Sequence, residues 1–151
     1  MFGYQVISSF QDRDIALYDK IYQMTDRNSQ YYPNYYFWYY DTFLPGLKKN
    51  ERFIVYCTDE QGQIIGIALL KRTKSENKIC CLFVIPEHQH KGIGSSLLEK
   101  SFECLEDNKP SITVSEAILP KLKKLFDKYE FILSDIRVSE YIDGQKEYYF
   151  N

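Results

Sequence analysis

Residues 84–98 read Val84-Ile85-Pro86-Glu87-His88-Gln89-His90-Lys91-Gly92-Ile93-Gly94-Ser95-Ser96-Leu97-Leu98. An apolar run ends in a proline, two glycines follow two apart, and serines and leucines come next. The start of a helix leaves its first backbone N–H groups without partners, and the helix dipole is positive there. Gly92 and Gly94 remove the Cβ atoms that would hold a ligand away from those donors. Ser95 and Ser96 add hydroxyls, and Lys91 adds a cation. These are the parts of a phosphate cradle. The dinucleotide-binding fingerprint needs a third glycine where Leu97 stands, and the P-loop needs Gly-Lys-Ser/Thr, which is absent. On spacing alone, a glycine-rich helix cap without a ligand is the alternative.

Outward from this stretch, residues 52–85 read as a β-meander. Strands near 52–58, 63–72 and 78–85 are rich in Ile, Val, Phe and Leu, and "DEQG" and "KSEN" separate them as turns. After the glycines, Ile93, Leu97, Leu98, Phe102 and Leu105 share one face of a helix. "SITVSEA" predicts a short strand. "LPKLKKLFDKY" predicts an amphipathic helix with Pro120 in its first turn. "FILSDIRVSEYI" and "QKEYYF" predict two strands joined by a tight turn at Asp143-Gly144. Upstream, "YQVISSF" reads as a strand and residues 15–24 as a helix capped by Asp12 or Asp14. The aromatic run that follows predicts a helix between Pro33 and Pro45, because prolines suit helix ends. The order is β, two helices, three strands, helix, strand, helix, hairpin, which makes an α/β chain with a mixed sheet.

The 151 residues fit one domain, 1–151, with no repeat or linker dividing them. A formal net charge of −2 gives no electrostatic argument for nucleic acid or an anionic membrane. No apolar run is long enough to span a bilayer, and the N-terminus lacks a secretory signal, so the expected location is cytoplasmic. Cys57, Cys80, Cys81 and Cys104 form no C-x-x-C pair, and His88 and His90 complete no zinc pattern, so no metal is expected. The cysteines read as reduced, mostly buried thiols.

Gln89-His90-Lys91-Gly92-Ile93-Gly94 is similar to the Gln/Arg-x-x-Gly-x-Gly/Ala signature of the GNAT N-acetyltransferase superfamily. The surrounding strand, proline, loop and helix follow the same order, and "LFDKYEF" resembles the segment that ends the family's last helix. The resemblance implies a GNAT-like fold: a mostly antiparallel mixed sheet of six to seven strands flanked by about four helices. It implies acetyl-CoA as co-substrate and an amine acceptor. Gln89, His90, Lys91, Gly92, Ile93, Gly94 and Ser95 would surround the pyrophosphate. The pantetheine arm would run along Leu82, Phe83 and Val84 like an added strand.

The catalytic residues are harder to place. The family often carries a Glu on the strand before the motif, but Ile79–Ile85 holds no carboxylate, and Glu76 and Glu87 only flank it. Phe126 stands where the family's acidic Tyr normally falls, leaving Tyr129 as a displaced substitute. Glu76 and Tyr129 are therefore weak candidates. Nothing adjacent to Cys80 or Cys81 would activate a thiolate. The run Tyr31–Tyr40 is the second odd feature, in a chain that is 17% aromatic. The resemblance puts it where the acceptor binds, with Tyr35, Tyr36, Trp38 and Tyr39 as candidate wall residues. Packing on the sheet or a homodimer interface is the alternative. Two other functions compete with an acetyltransferase of a small molecule or protein: a CoA-binding regulatory module without turnover, and a toxin acetylating aminoacyl-tRNA.

Overall fold

Ile54 and Val55 are adjacent on one strand, and both are fully buried. Adjacent strand residues point to opposite faces, so both faces of this sheet must be covered. The computed structural model, which describes residues 2–151, shows how. The strands are β1 (Gly3–Ile7), β2 (Arg52–Thr58), β3 (Ile64–Arg72), β4 (Asn77–Val84), β5 (Ser111–Ser115), β6 (Leu133–Val138) and β7 (Lys146–Phe150). They form one sheet in the order β1-β2-β3-β4-β5-β7-β6, and only the β4–β5 pair is parallel. This mixed, mostly antiparallel α/β architecture is the expected one.

On one face, α4 (Ile93–Leu105) and α5 (Leu119–Lys128) pack Ile93, Leu97, Leu98 and Phe126 onto Val55, Ala68, Leu70 and Ile79. On the other, α1 (Ile15–Thr25) and the aromatic helix pack Tyr18, Ile21, Tyr39 and Phe43 onto Ile54, Ile67 and Leu69. Each Val, Leu, Ile or Phe among them stabilises the fold by about 1.5–3 kcal/mol when fully buried. Helix α4 crosses β3 closely at Gly66. A Cβ there would lie 3.0 Å from both Ile93 Cγ2 and Leu97 Cδ1. Among the described residues, no helix is long and apolar enough to cross a membrane.

Three details depart from the sequence reading. The aromatic helix does not end before Pro45. It runs through α2 (Tyr35–Phe37), a π-helical segment (Trp38–Phe43) and α3 (Leu44–Lys48). The Leu44 N–H donates to the Tyr39 carbonyl, five residues back, and this widened turn makes room for the proline ring that a tighter helix would exclude. The wider turns also keep Tyr35, Tyr39 and Phe43, four apart, buried together. The β6–β7 hairpin is real, but its connection spans residues 139–145 rather than a two-residue turn. Gly144 has φ +78° while Asp143 keeps a negative φ, and the two-residue type I′ turn needs both positive. Ser139 instead bridges the longer loop, bonding the Gly144 N–H and the Asp143 carboxylate. Finally, β4 carries a bulge: Leu70 faces Ile79 and Leu69 faces Cys81, leaving Cys80 unmatched on β3.

Candidate functional site at the helix mouth and the splayed sheet

Strand β4 ends at Val84 and α4 starts at Ile93, so the glycine stretch is the strand-to-helix loop. A short turn at Pro86–His88 starts the loop, and the Gln89 side chain closes it by donating to the Val84 carbonyl at 3.1 Å. His90 and Gly92 are left-handed, with φ of +64° and +83°. Gly92 caps the helix, and its carbonyl accepts the Ser96 N–H at 3.1 Å. The amides of Ile93, Gly94 and Ser95 come before that bond, where helix geometry supplies no carbonyl partner. The space outside them is open. A Cβ on Gly92 would meet nothing within 4 Å, and one on Gly94 would meet only Leu125 Cδ2 at 3.5 Å. Lys128, from α5, donates to Ser95 Oγ at 3.0 Å and brings a second cation to the mouth beside Lys91. Backbone amides, a serine hydroxyl and two ammonium groups make a donor set that fits a pyrophosphate. No sequence signal marked Lys128, which lies 33 residues from Ser95.

Beside the mouth the sheet splays. The β4–β5 ladder holds only Lys78↔Ser111 and Ile79↔Ile112. Beyond Ile79, β4 pairs with β3 alone, while β5 turns to β7. The β5-facing edge of Leu82, Phe83 and Val84 therefore has no strand partner. A cavity of about 460 Å³ occupies the splay. Cys80, Leu82, Thr113 and Leu122 line its floor, and Tyr31, Tyr32, Tyr35, Trp38 and Tyr141 line its aromatic wall.

Of the proposed acceptor residues, Tyr35 and Trp38 line this cavity, and Tyr36 and Tyr39 do not. Tyr36 packs on Tyr22 and Tyr40 at the surface. Tyr39 is fully buried and donates to the Tyr18 carbonyl at 2.6 Å, so it belongs to the core. Neither catalytic candidate is aimed at the splay. Tyr129 sits against α4, bonding Glu99 at 3.1 Å and packing on Phe102. Glu76 pairs with Lys71 at 3.3 Å, and although partial burial works the other way, the lysines hold its carboxyl below the usual range. Phe126 is a core residue between Phe131 and Phe150. Burial pushes the Cys80 thiol up and the Cys81 thiol up to about 12, so both stay protonated at neutral pH. Among the described residues no acidic, His or Cys cluster could hold a metal.

The sequence reading missed Glu147. It lies on β7, 3% exposed, and its carboxylate accepts the Tyr32 hydroxyl at 2.7 Å. Burial raises its pKa, against opposing hydrogen bonds from Tyr32 and Thr113. The same burial, with the neighbouring carboxylate, pushes the Tyr32 hydroxyl far up, so that proton stays on tyrosine unless another replaces it. Tyr32 thus links a buried carboxylate to the cavity.

A family model described as an acetyltransferase (GNAT) domain matches residues 40–142. No curated protein matches the chain. Among solved structures, the fold is similar to a GNAT-family protein from Desulfovibrio desulfuricans, with TM-score 0.72 and 13% identity over 99% of this chain and 97% of that one. It is similar to spermidine N-acetyltransferase from Vibrio cholerae, in complex with CoA and spermine, with TM-score 0.67 and 18% identity over 99% and 93% of the two chains. Nourseothricin acetyltransferase gives TM-score 0.62 and 16% identity over 68% of this chain, which spans just 65% of that longer one. These identities carry the fold alone. The family model covers well over half of the sequence, and on that ground the chain belongs to the GNAT acetyltransferase family.

Proposed function

We propose that the protein is an acetyl-CoA-dependent N-acetyltransferase that acts on a primary amine. The observation that carries this reading is one continuous arrangement. An open glycine mouth lies beside a β4 edge without a strand partner, and that edge runs into a cavity. The Ile93, Gly94 and Ser95 amides, with Lys91 and Lys128, would bind the pyrophosphate. The backbone of Leu82, Phe83 and Val84 would orient the pantetheine amides as a strand partner does. Acetyl-CoA bound there supplies a thioester carbonyl open to attack by an amine.

The chain's own residues account for the remaining steps. Tyr35 and Trp38 form a wall that excludes water and holds the amine against the β4 bulge. An amine attacks only when neutral, so a proton must leave its ammonium form. Tyr32 Oη takes that proton while passing its own to Glu147. No side chain is assigned to protonate the departing thiolate, because Tyr129, at the end of α5, is bonded to Glu99 of α4 and Phe126 is core. Water supplies that proton, and positioning supplies most of the rate. An amine acceptor agrees with the names of two structural neighbours, which acetylate spermidine and nourseothricin.

Release of CoA thiol from acetyl-CoA, followed over a panel of amines, peptides and aminoglycoside-type antibiotics, tests the reading. Acceptor-dependent release supports it. Binding of acetyl-CoA without release for any amine favours instead a regulatory module that keeps the cradle, the reading that the apolar Phe126 would support.

A further inference from the structure

Three cations stand abreast at the far end of the cavity. The sheet register sets Arg52 on β2 opposite Lys71 on β3, and Lys71 opposite Lys78 on β4. All three line the cavity. Like charges directly opposite on adjacent strands repel, so such a row needs something to offset it. The protein offsets only part of it: Glu76 pairs with Lys71 and its charge also acts on Lys78, as does that of Glu147, but among the described residues no carboxylate is paired with Arg52. Arg52 is 8% exposed, and its Nε and Nη1 have no hydrogen-bond partner. A buried guanidinium with idle donors is costly unless an anion meets it. Its stem is fixed against Gly46, where a Cβ would come within 2.3 Å of Arg52 Cγ, so the group is held in place.

We infer that this row seats an anionic group of the acceptor, a carboxylate or a phosphate, so that the amine acetylated is one that also carries an acid. The inference rests on the acetyltransferase reading for its use of the cavity. Lys78 lies two to four residues along β4 from the bulge and Leu82, where the pantetheine edge begins. At about 3.3 Å per strand residue, the anion and the amine stand about 7–13 Å apart. That spacing excludes the α-amino and α-carboxyl groups of one amino acid as the pair. It admits an amine and an acid at opposite ends of a chain of several atoms. Arg52 supplies a planar fork and Lys78 a point charge, which together suit an oxyanion. Tyr32, on the aromatic wall, and Glu147 behind it are left for the amine.

The test is calorimetric titration with four probes of one length: 6-aminohexanoate, 6-aminohexyl phosphate, hexylamine and 1,6-diaminohexane. Each is titrated with and without saturating CoA. The two anionic probes are expected to bind at least about tenfold more tightly than hexylamine, the scale of a hydrogen bond to a charged group. Arg52→Met and Lys78→Met should each remove that preference while CoA affinity stays unchanged. Lys78→Met is the control should Arg52→Met fail to fold, because Lys78 is only half-buried. Equal binding of all four probes, tightest binding of 1,6-diaminohexane, or a preference that survives Lys78→Met overturns the inference. Failure of CoA to bind sinks the acetyltransferase reading separately, and the titrations without CoA still decide whether the row seats an anion.

Discussion

Replacing Glu147 by Gln removes the negative charge beneath Tyr32 and keeps an oxygen that can accept a hydrogen bond from its hydroxyl. In the wild type that hydrogen bond is 2.7 Å long and ends on a carboxylate only 3% exposed. If the pair draws the proton from the amine, the neutral amide has nowhere to store it. Loss of an acid–base group lowers turnover by roughly 10²–10⁴-fold. At about 1.36 kcal/mol per tenfold, that is about 2.7–5.4 kcal/mol of barrier. Tyr32→Phe, which leaves the carboxylate but removes the bridge, should fall in the same range. The pH dependence carries the sign. Burial raises the Glu147 carboxyl above its ordinary value, and the base works only when ionised. The acid limb of kcat/KM should therefore lie above the usual carboxylate range and vanish in Glu147→Gln. Stability moves the other way. A carboxyl whose folded pKa is raised contributes stability that is fully present below the unfolded pKa and is lost as pH rises through the folded one. The Tm of Glu147→Gln relative to wild type should therefore improve from about pH 4 to about pH 8. A variant that keeps turnover within about threefold, with the acid limb intact, refutes the assignment.

Two further perturbations test the frame around the site. Gly66→Ala places a methyl 3.0 Å from Ile93 and Leu97, both buried and without room to retreat, and should cost about 1–3 kcal/mol, read as a lowered Tm. Tyr129→Phe loses the bond to Glu99 on α4 and should leave turnover within a few-fold; a loss of about 100-fold or more with unchanged folding would make Tyr129 an acid after all.

The glycine stretch was legible because its signal is local. A strand, a proline and two glycines on an apolar helix fix both the fold's order and the position of the mouth. The basic row was also within reach. Arg52 shares a strand face with Ile54, and Lys71 shares one with Ile67 and Leu69, so alternation alone aims both toward a core. What sequence could not give was the register that sets them abreast. Glu147 was beyond reach for a similar reason. In "KEYYF" it alternates with Tyr148 and could face either side, and its partner Tyr32 lies 115 residues away. The splay begins where the β4–β5 ladder stops after two pairs, and nothing in the alternation of either strand marks where a parallel ladder between distant segments ends. The aromatic helix misled at Pro45 because a π-helical segment admits a proline that an ordinary helix would reject. Tyr36 and Tyr39 were grouped with Tyr35 and Trp38 by sequence proximity, whereas the helix sends them to the surface and the core.

The acetyltransferase reading depends on acetyl-CoA binding at the helix mouth. Calorimetric titration of wild type and Gly92→Asp with acetyl-CoA measures this directly. At φ +83°, with no atom within 4 Å of a Cβ, an aspartate would point its charge into the space left for the phosphates. The wild type should bind, and the variant should bind at least about tenfold more weakly, the scale of one charge-assisted hydrogen bond. No binding by the wild type, or equal affinity in a folded Gly92→Asp, contradicts the placement of the cofactor at this mouth.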